Sequence, residues 1–111
     1  MSTRFEMFDP EQFRGRVVMV TGAGKGTGPG GIGYSAAMAF ARAGARLAIV
    51  GRTEETLRAT IAEIESLGGE VVAAVGDVSD PAVIARLFDA VEERFGRLDI
   101  LINNAGVSGE V

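Results

Sequence analysis

Thr21-Gly22-Ala23-Gly24-Lys25-Gly26-Thr27-Gly28-Pro29-Gly30-Gly31-Ile32-Gly33 holds seven glycines in thirteen residues. An apolar run, Val17-Val18-Met19-Val20, leads into it, and an alanine-rich segment, Ser35 to Ala43, leaves it. Strand, glycine loop and helix in that order make an anion-binding arrangement. Glycine lets the main chain turn tightly and come close to a phosphate with no Cβ in the way. The N–H groups and the positive dipole end of the following helix then face the charge. The stretch therefore reads as a dinucleotide pyrophosphate loop.

Outward from the loop, apolar runs and amphipathic runs alternate. Arg16 to Val20 is a predicted strand whose apolar residues are unbroken, as in a parallel sheet covered on both faces. A helix follows over about Ile32 to Ala43, with Ala36, Ala39 and Ala43 on the side that lies close to the sheet and Gly44 as its stop. Arg46 to Val50 is a second strand. The next helix has Thr53 as N-cap, Glu54 and Glu55 in its first turn, and Leu57, Ile61 and Ile64 as a buried stripe. Glu70 to Val75 is a third strand. Asp80 caps a third helix with Pro81 at its first position, and Val83, Leu87, Val91 and Phe95 share a face. Leu98 to Ile102 is a fourth strand, ending in Asn103-Asn104-Ala105-Gly106.

The order β-α-β-α-β-α-β predicts an α/β fold, a Rossmann-type doubly wound parallel sheet of strand order 3-2-1-4, truncated after the fourth strand. Residues 1–14 read as a lead-in, with Phe8 and Phe13 packing on the sheet, and 15–111 as one partial dinucleotide-binding domain. Two helices fall on one face and one on the other. The fourth strand is then an open apolar edge, suited to self-association or to a missing C-terminal half.

Bulk properties narrow the function classes. A chain of 111 residues with 47% hydrophobic content and a mean hydropathy of +0.23 has a globular composition. Net charge is −4 with no basic block, which argues against nucleic acid and anionic membrane as partners. There is no cysteine and no histidine, so thiol chemistry, His-based triads and His-ligated metals are excluded within this chain. No apolar run has the ~18 residues of a membrane span. The polar, acidic start lacks a signal-peptide core, and the expected compartment is cytoplasmic.

Thr21-Gly22-Ala23-Gly24, Gly31-Ile32-Gly33, Asp77-Val78 and Asn103-Asn104-Ala105-Gly106, in this order, resemble the short-chain dehydrogenase/reductase family. Leu98-Asp99-Ile100-Leu101-Ile102 before the double Asn is similar to it too. The resemblance runs from about Phe13 to the end. It implies that Gly22 and Gly24 line the pyrophosphate, with Ile32 and Gly33 opening the helix beneath it. It implies that Asp77 accepts from the adenine amino group beside the Val78 main chain. Asn104, Ala105 and Gly106 would border the adenine ribose.

Two features depart from the family. Its loop is usually shorter, whereas eight residues separate Gly22 from Gly31 here. Thr21 to Gly28 alone also satisfies the Thr-Gly-x-x-x-Gly-x-Gly spacing, so which glycines face phosphate stays open, with the second cluster favoured because Ile32 and the alanines are in phase with the helix. The family's catalytic Ser, Tyr and Lys, with Tyr-x-x-x-Lys spacing, are also missing. The one tyrosine is Tyr34, and position 38 is Met. The chain thus resembles the cofactor-binding half of an NAD(P)-dependent oxidoreductase that moves hydride between nicotinamide and an alcohol or carbonyl. The alternatives are a non-catalytic NADP- or adenine-nucleotide-binding module, or an inactive truncated product. A P-loop reading of Gly24-Lys25-Gly26-Thr27 fails on spacing, because the glycine it needs five residues earlier is Met19.

At the end of the second strand, where an NAD site commonly carries a carboxylate, stands Gly51-Arg52. No acid repels a 2′-phosphate there, and Arg52 can pair with one. Lys25 adds charge where the insert folds inward. NADP is expected over NAD.

Overall fold

The structure, a computed structural model, describes residues 13–22 and 32–103. Gly24, Lys25, Asn104, Ala105 and Gly106, together with Phe8 and most of the lead-in, lie outside the described residues. The elements are β1 (Val17–Thr21), α1 (Ile32–Arg42), β2 (Arg46–Gly51), α2 (Glu54–Ser66), β3 (Val71–Val75), α3 (Pro81–Arg94) and β4 (Ile100–Asn103). All strand pairs are parallel and the order is β3-β2-β1-β4, as the element pattern predicts.

Alternate residues of each strand feed two separate cores. Val18, Val20, Leu47, Ile49 and Val71 point to the layer of α1 and α2. Val17, Met19, Ala48, Val50 and Ala74 point to α3. Burial on both faces explains the unbroken apolar runs. α3 presents Val83, Leu87 and Val91 to the sheet, begins at Pro81, and is capped by the Asp80 carboxylate accepting from the Ala82 N–H at 2.9 Å.

The structure corrects three local expectations. In α1 the sheet-facing residues are Ala37, Met38 and Ala41, while Ala39 is exposed and Ala36 and Ala43 are half-buried. Phe13 packs edge-on against Phe40 of α1, with ring centroids 5.1 Å apart, and lies against the core that α1 and α2 share with the sheet. Thr53 stands at the start of α2 but its side chain makes no cap. Its carbonyl instead accepts from the Leu57 N–H at 3.0 Å and the Thr56 hydroxyl at 3.1 Å. The α2 stripe includes fully buried Thr60, whose hydroxyl donates to the Thr56 carbonyl at 3.1 Å, so burial leaves it bonded.

The third correction is the start of β4, at Ile100 rather than Leu98. Asp99 takes over the pairing just before it. Its N–H donates to the Val17 carbonyl at 2.9 Å and its carboxylate accepts the Val17 N–H at 2.8 Å. Arg97 adds two bonds to the same carboxylate, at 3.0 and 2.7 Å. The Arg97 bonds, then the Val17 N–H, hold the Asp99 carboxyl below its ordinary value of 3.8. A depressed carboxyl stabilises the fold above the unfolded value and stops doing so as pH falls through the folded one. The urea midpoint is therefore expected to stay level from ~pH 7 to ~pH 5 and to drop below ~pH 4. Asp99→Asn should lower the neutral-pH midpoint and shrink that acid drop; an acid drop of unchanged size would remove Asp99 from the account.

β4 alternates half-buried and exposed. Ile100 and Ile102 pack on the α1–α2 core, and Leu101, on the α3 side, is 53% exposed. Phe88 of α3 is also exposed. Among the described residues no helix is long and apolar enough to cross a membrane.

Candidate functional site

Register decides which residues meet. Thr21 stands abreast of Val50 on one side and Asn103 on the other, and Gly51 abreast of Val75. The chain just past each strand therefore emerges along one carboxyl edge, in the order Asp77, Arg52, Gly22, Asn103. The reversal of winding between β1 and β4 lies on that edge, where open α/β sheets bind ligands.

At β1 the chain leaves the sheet through Gly22, with φ of 70° and its N–H donating to the Val50 carbonyl at 2.9 Å. A side chain is strained in that left-handed conformation, and its absence leaves main chain bare at the crest. Thr21, buried beside it, donates its hydroxyl to Asn103 Oδ1 at 3.1 Å and ties the ends of β1 and β4 together. Asn103 is thus a structural tie. α1 starts at Ile32 with Gly33 buried and no acidic residue in its first turn. No acid of that first turn opposes an anion approaching the positive end of the helix.

At β3 the chain turns through Gly76, whose N–H donates to the Gly51 carbonyl at 2.9 Å and locks the β2 and β3 exits side by side. Asp77 follows. Its Oδ1 accepts from the Ser79 N–H at 2.9 Å and the Ser79 hydroxyl at 2.8 Å, an Asx turn that fixes the carboxylate. Its Oδ2 lies 3.6 Å from Arg52 Nη2. The Ser79 N–H, then its hydroxyl, and the Arg52 charge hold the Asp77 carboxyl below the usual carboxylate value. It is an anion at neutral pH, and 49% exposed. Val78 is half-buried and packs into the α3 core.

Gly22, Ile32, Gly33, Arg52, Asp77 and Val78 thus share one edge. Asp77 is also the turn residue before Ser79 that the sequence allows, whereas Thr21 as a tie to Asn103 went unread. Tyr34, in the first turn of α1, turns toward α2. Its hydroxyl donates to the Glu63 carboxylate of α2 and its ring packs on the α1–α2 core with Met38. A groove of about 680 Å³ lies at the opposite, amino edge, lined by Arg14, Arg42, Arg46 and Glu70 among others, and holds none of the predicted site residues.

Residues 16–111 match the family model described as short chain dehydrogenase. The chain is 45% identical over 95 residues to a Thermotoga maritima protein named as an uncharacterized oxidoreductase, covering 86% of this chain and 35% of that protein. It is 42% identical over 94 residues to the short chain dehydrogenase/reductase dpmpG of Macrophomina phaseolina, covering 84% of this chain and 51% of that one. The crystal structure of L-sorbose reductase from Gluconobacter frateurii, complexed with NADPH and L-sorbose, superposes with a TM-score of 0.77 at 32% identity over 87% of this chain and 35% of that one. The chain spans about a third to a half of the length of these relatives.

Proposed function

Because the chain belongs to the short-chain dehydrogenase family, we propose that it forms the cofactor-binding half of an NAD(P)-dependent oxidoreductase and takes NADP in preference to NAD. The observation that carries this reading is the row of Asp77, Arg52 and Gly22 along one carboxyl edge. The residues present fit such a ligand. Gly22 offers bare main chain and the acid-free start of α1 a positive pole for the pyrophosphate. Asp77 has one carboxylate oxygen clear of Ser79 for an adenine amino group, and Arg52 is placed for a 2′-phosphate. Gly24, Lys25, Asn104, Ala105 and Gly106 complete the proposed set.

When bound, the nicotinamide supplies hydride transfer; what this chain contributes is binding and orientation. The bonding of Tyr34 to Glu63 supports the view that proton transfer is not its task. The substrate side is proposed to come from chain that continues the fold past β4, and exposed Leu101 and Phe88 support an apolar face completed there or by a second copy. A cytoplasmic setting belongs to the same proposal.

The test is Arg52→Asp. Replacing the cation by an acid puts repulsion where the 2′-phosphate would sit and offers a carboxylate to the ribose hydroxyls of NAD. The NADP-to-NAD affinity ratio, measured by titration calorimetry, should fall roughly ten- to hundredfold, a charge-assisted bond being worth ~1.5–3 kcal/mol. An unchanged ratio removes the assignment.

A further inference from the structure

We propose that Asp77 sets the cofactor preference of this edge through Arg52: its carboxylate holds the guanidinium and competes with a 2′-phosphate for it. This rests on the reading of Arg52 given above and extends it to a second, specificity-determining residue.

Three observations converge on the pair. Asp77 is clamped, because Ser79 occupies Oδ1 through two hydrogen bonds and leaves Oδ2 toward Arg52. The two loops are locked in register by the Gly76 N–H on the Gly51 carbonyl. The acid closest to Arg52 in the chain after Thr53, Glu54, is engaged by Arg58 at 3.0 Å. Arg52 thus faces Asp77 at 3.6 Å with its side chain 78% exposed. At that distance and exposure the pair is loose, weaker than the two parallel bonds a phosphate offers a guanidinium.

The consequence is a bias. A ligand without the 2′-phosphate leaves the Arg52–Asp77 pair intact. A ligand with it must draw the guanidinium off or share it, beside a carboxylate of like charge. Asp77 thereby narrows the advantage that Arg52 gives to NADP.

Asp77→Asn removes the charge and keeps an oxygen for Ser79, so the turn is preserved. The 111-residue chain and its Asp77→Asn, Arg52→Gln and doubly substituted forms are titrated with adenosine 2′,5′-bisphosphate and with adenosine 5′-monophosphate. The adenine contact is common to both probes and cancels in their affinity ratio. Asp77→Asn is expected to raise the bisphosphate preference roughly two- to fivefold, the range of an exposed ion pair. The rise should vanish in the Arg52→Gln background. An unchanged or lowered preference, or an equal rise without Arg52, overturns the proposal. An Arg52→Gln form that keeps the parent preference removes the reading of Arg52 itself, and the inference with it.

Discussion

Gly76→Ala is expected to destabilise the chain by about 3 kcal/mol or more, with a fall in urea midpoint and little change in slope. Two costs combine. The residue has φ of 153°, outside the range that L side chains adopt readily. A Cβ there would also stand 2.5 Å from Val83 Cγ2 and 3.1 Å from Cγ1. Val83 is buried in the α3 core and β-branched on a helix, so its rotamer has little freedom to yield. The backbone would have to move, and with it the Gly76–Gly51 bond that aligns Asp77 with Arg52. The check is the double substitution with Val83→Ala. Relief of the overlap should make the pair less destabilised than the sum of the single changes. Simple additivity would mean that backbone strain alone accounts for the loss.

Leu87→Ala should cost about 2–5 kcal/mol by equilibrium denaturation. Leu87 is fully buried, and among the described residues α3 is the only helix on its face of the sheet. The helix is held there mainly by Val83, Leu87 and Val91 against Met19, Ala48, Val50 and Ala74. With the middle anchor gone, α3 is the element expected to open first. Hydrogen exchange should therefore quicken in 81–94 before it quickens in α1 or α2. Uniform acceleration across all three helices would show that the layers unfold as one.

How much was legible before the structure follows from contrast in the pattern. α3 reads clearly, because valine and leucine at helical spacing stand among charged residues and Asp80-Pro81 marks the start. α1 does not. Alanine fills positions 36, 37, 39, 41 and 43, so several phases fit equally well, and Ala37 and Ala41 rather than Ala39 and Ala43 are the deeply buried ones. The start of β4 was misjudged because Asp99 supplies its own side chain where a strand bond was expected. The strand order and the meeting of Gly22, Arg52 and Asp77 were readable, since parallel strands deliver their exits to one edge. The Arg52–Asp77 pair was implicit in this: both residues follow neighbouring strands, one and two positions past their ends. The glycine insert and the residues after Asn103 fall outside the described residues.

The bond between Tyr34 and Glu63 makes the chain its own optical reporter. With no tryptophan and a single tyrosine, near-ultraviolet emission comes from phenylalanine and one phenol. That phenol is pinned between α1 and α2 against a carboxylate, a neighbour that dims tyrosine light. Brightening on denaturation would follow the parting of these two helices alone. Fluorescence of a reduced nicotinamide could be watched in the same cuvette without an indole to feed or mask it.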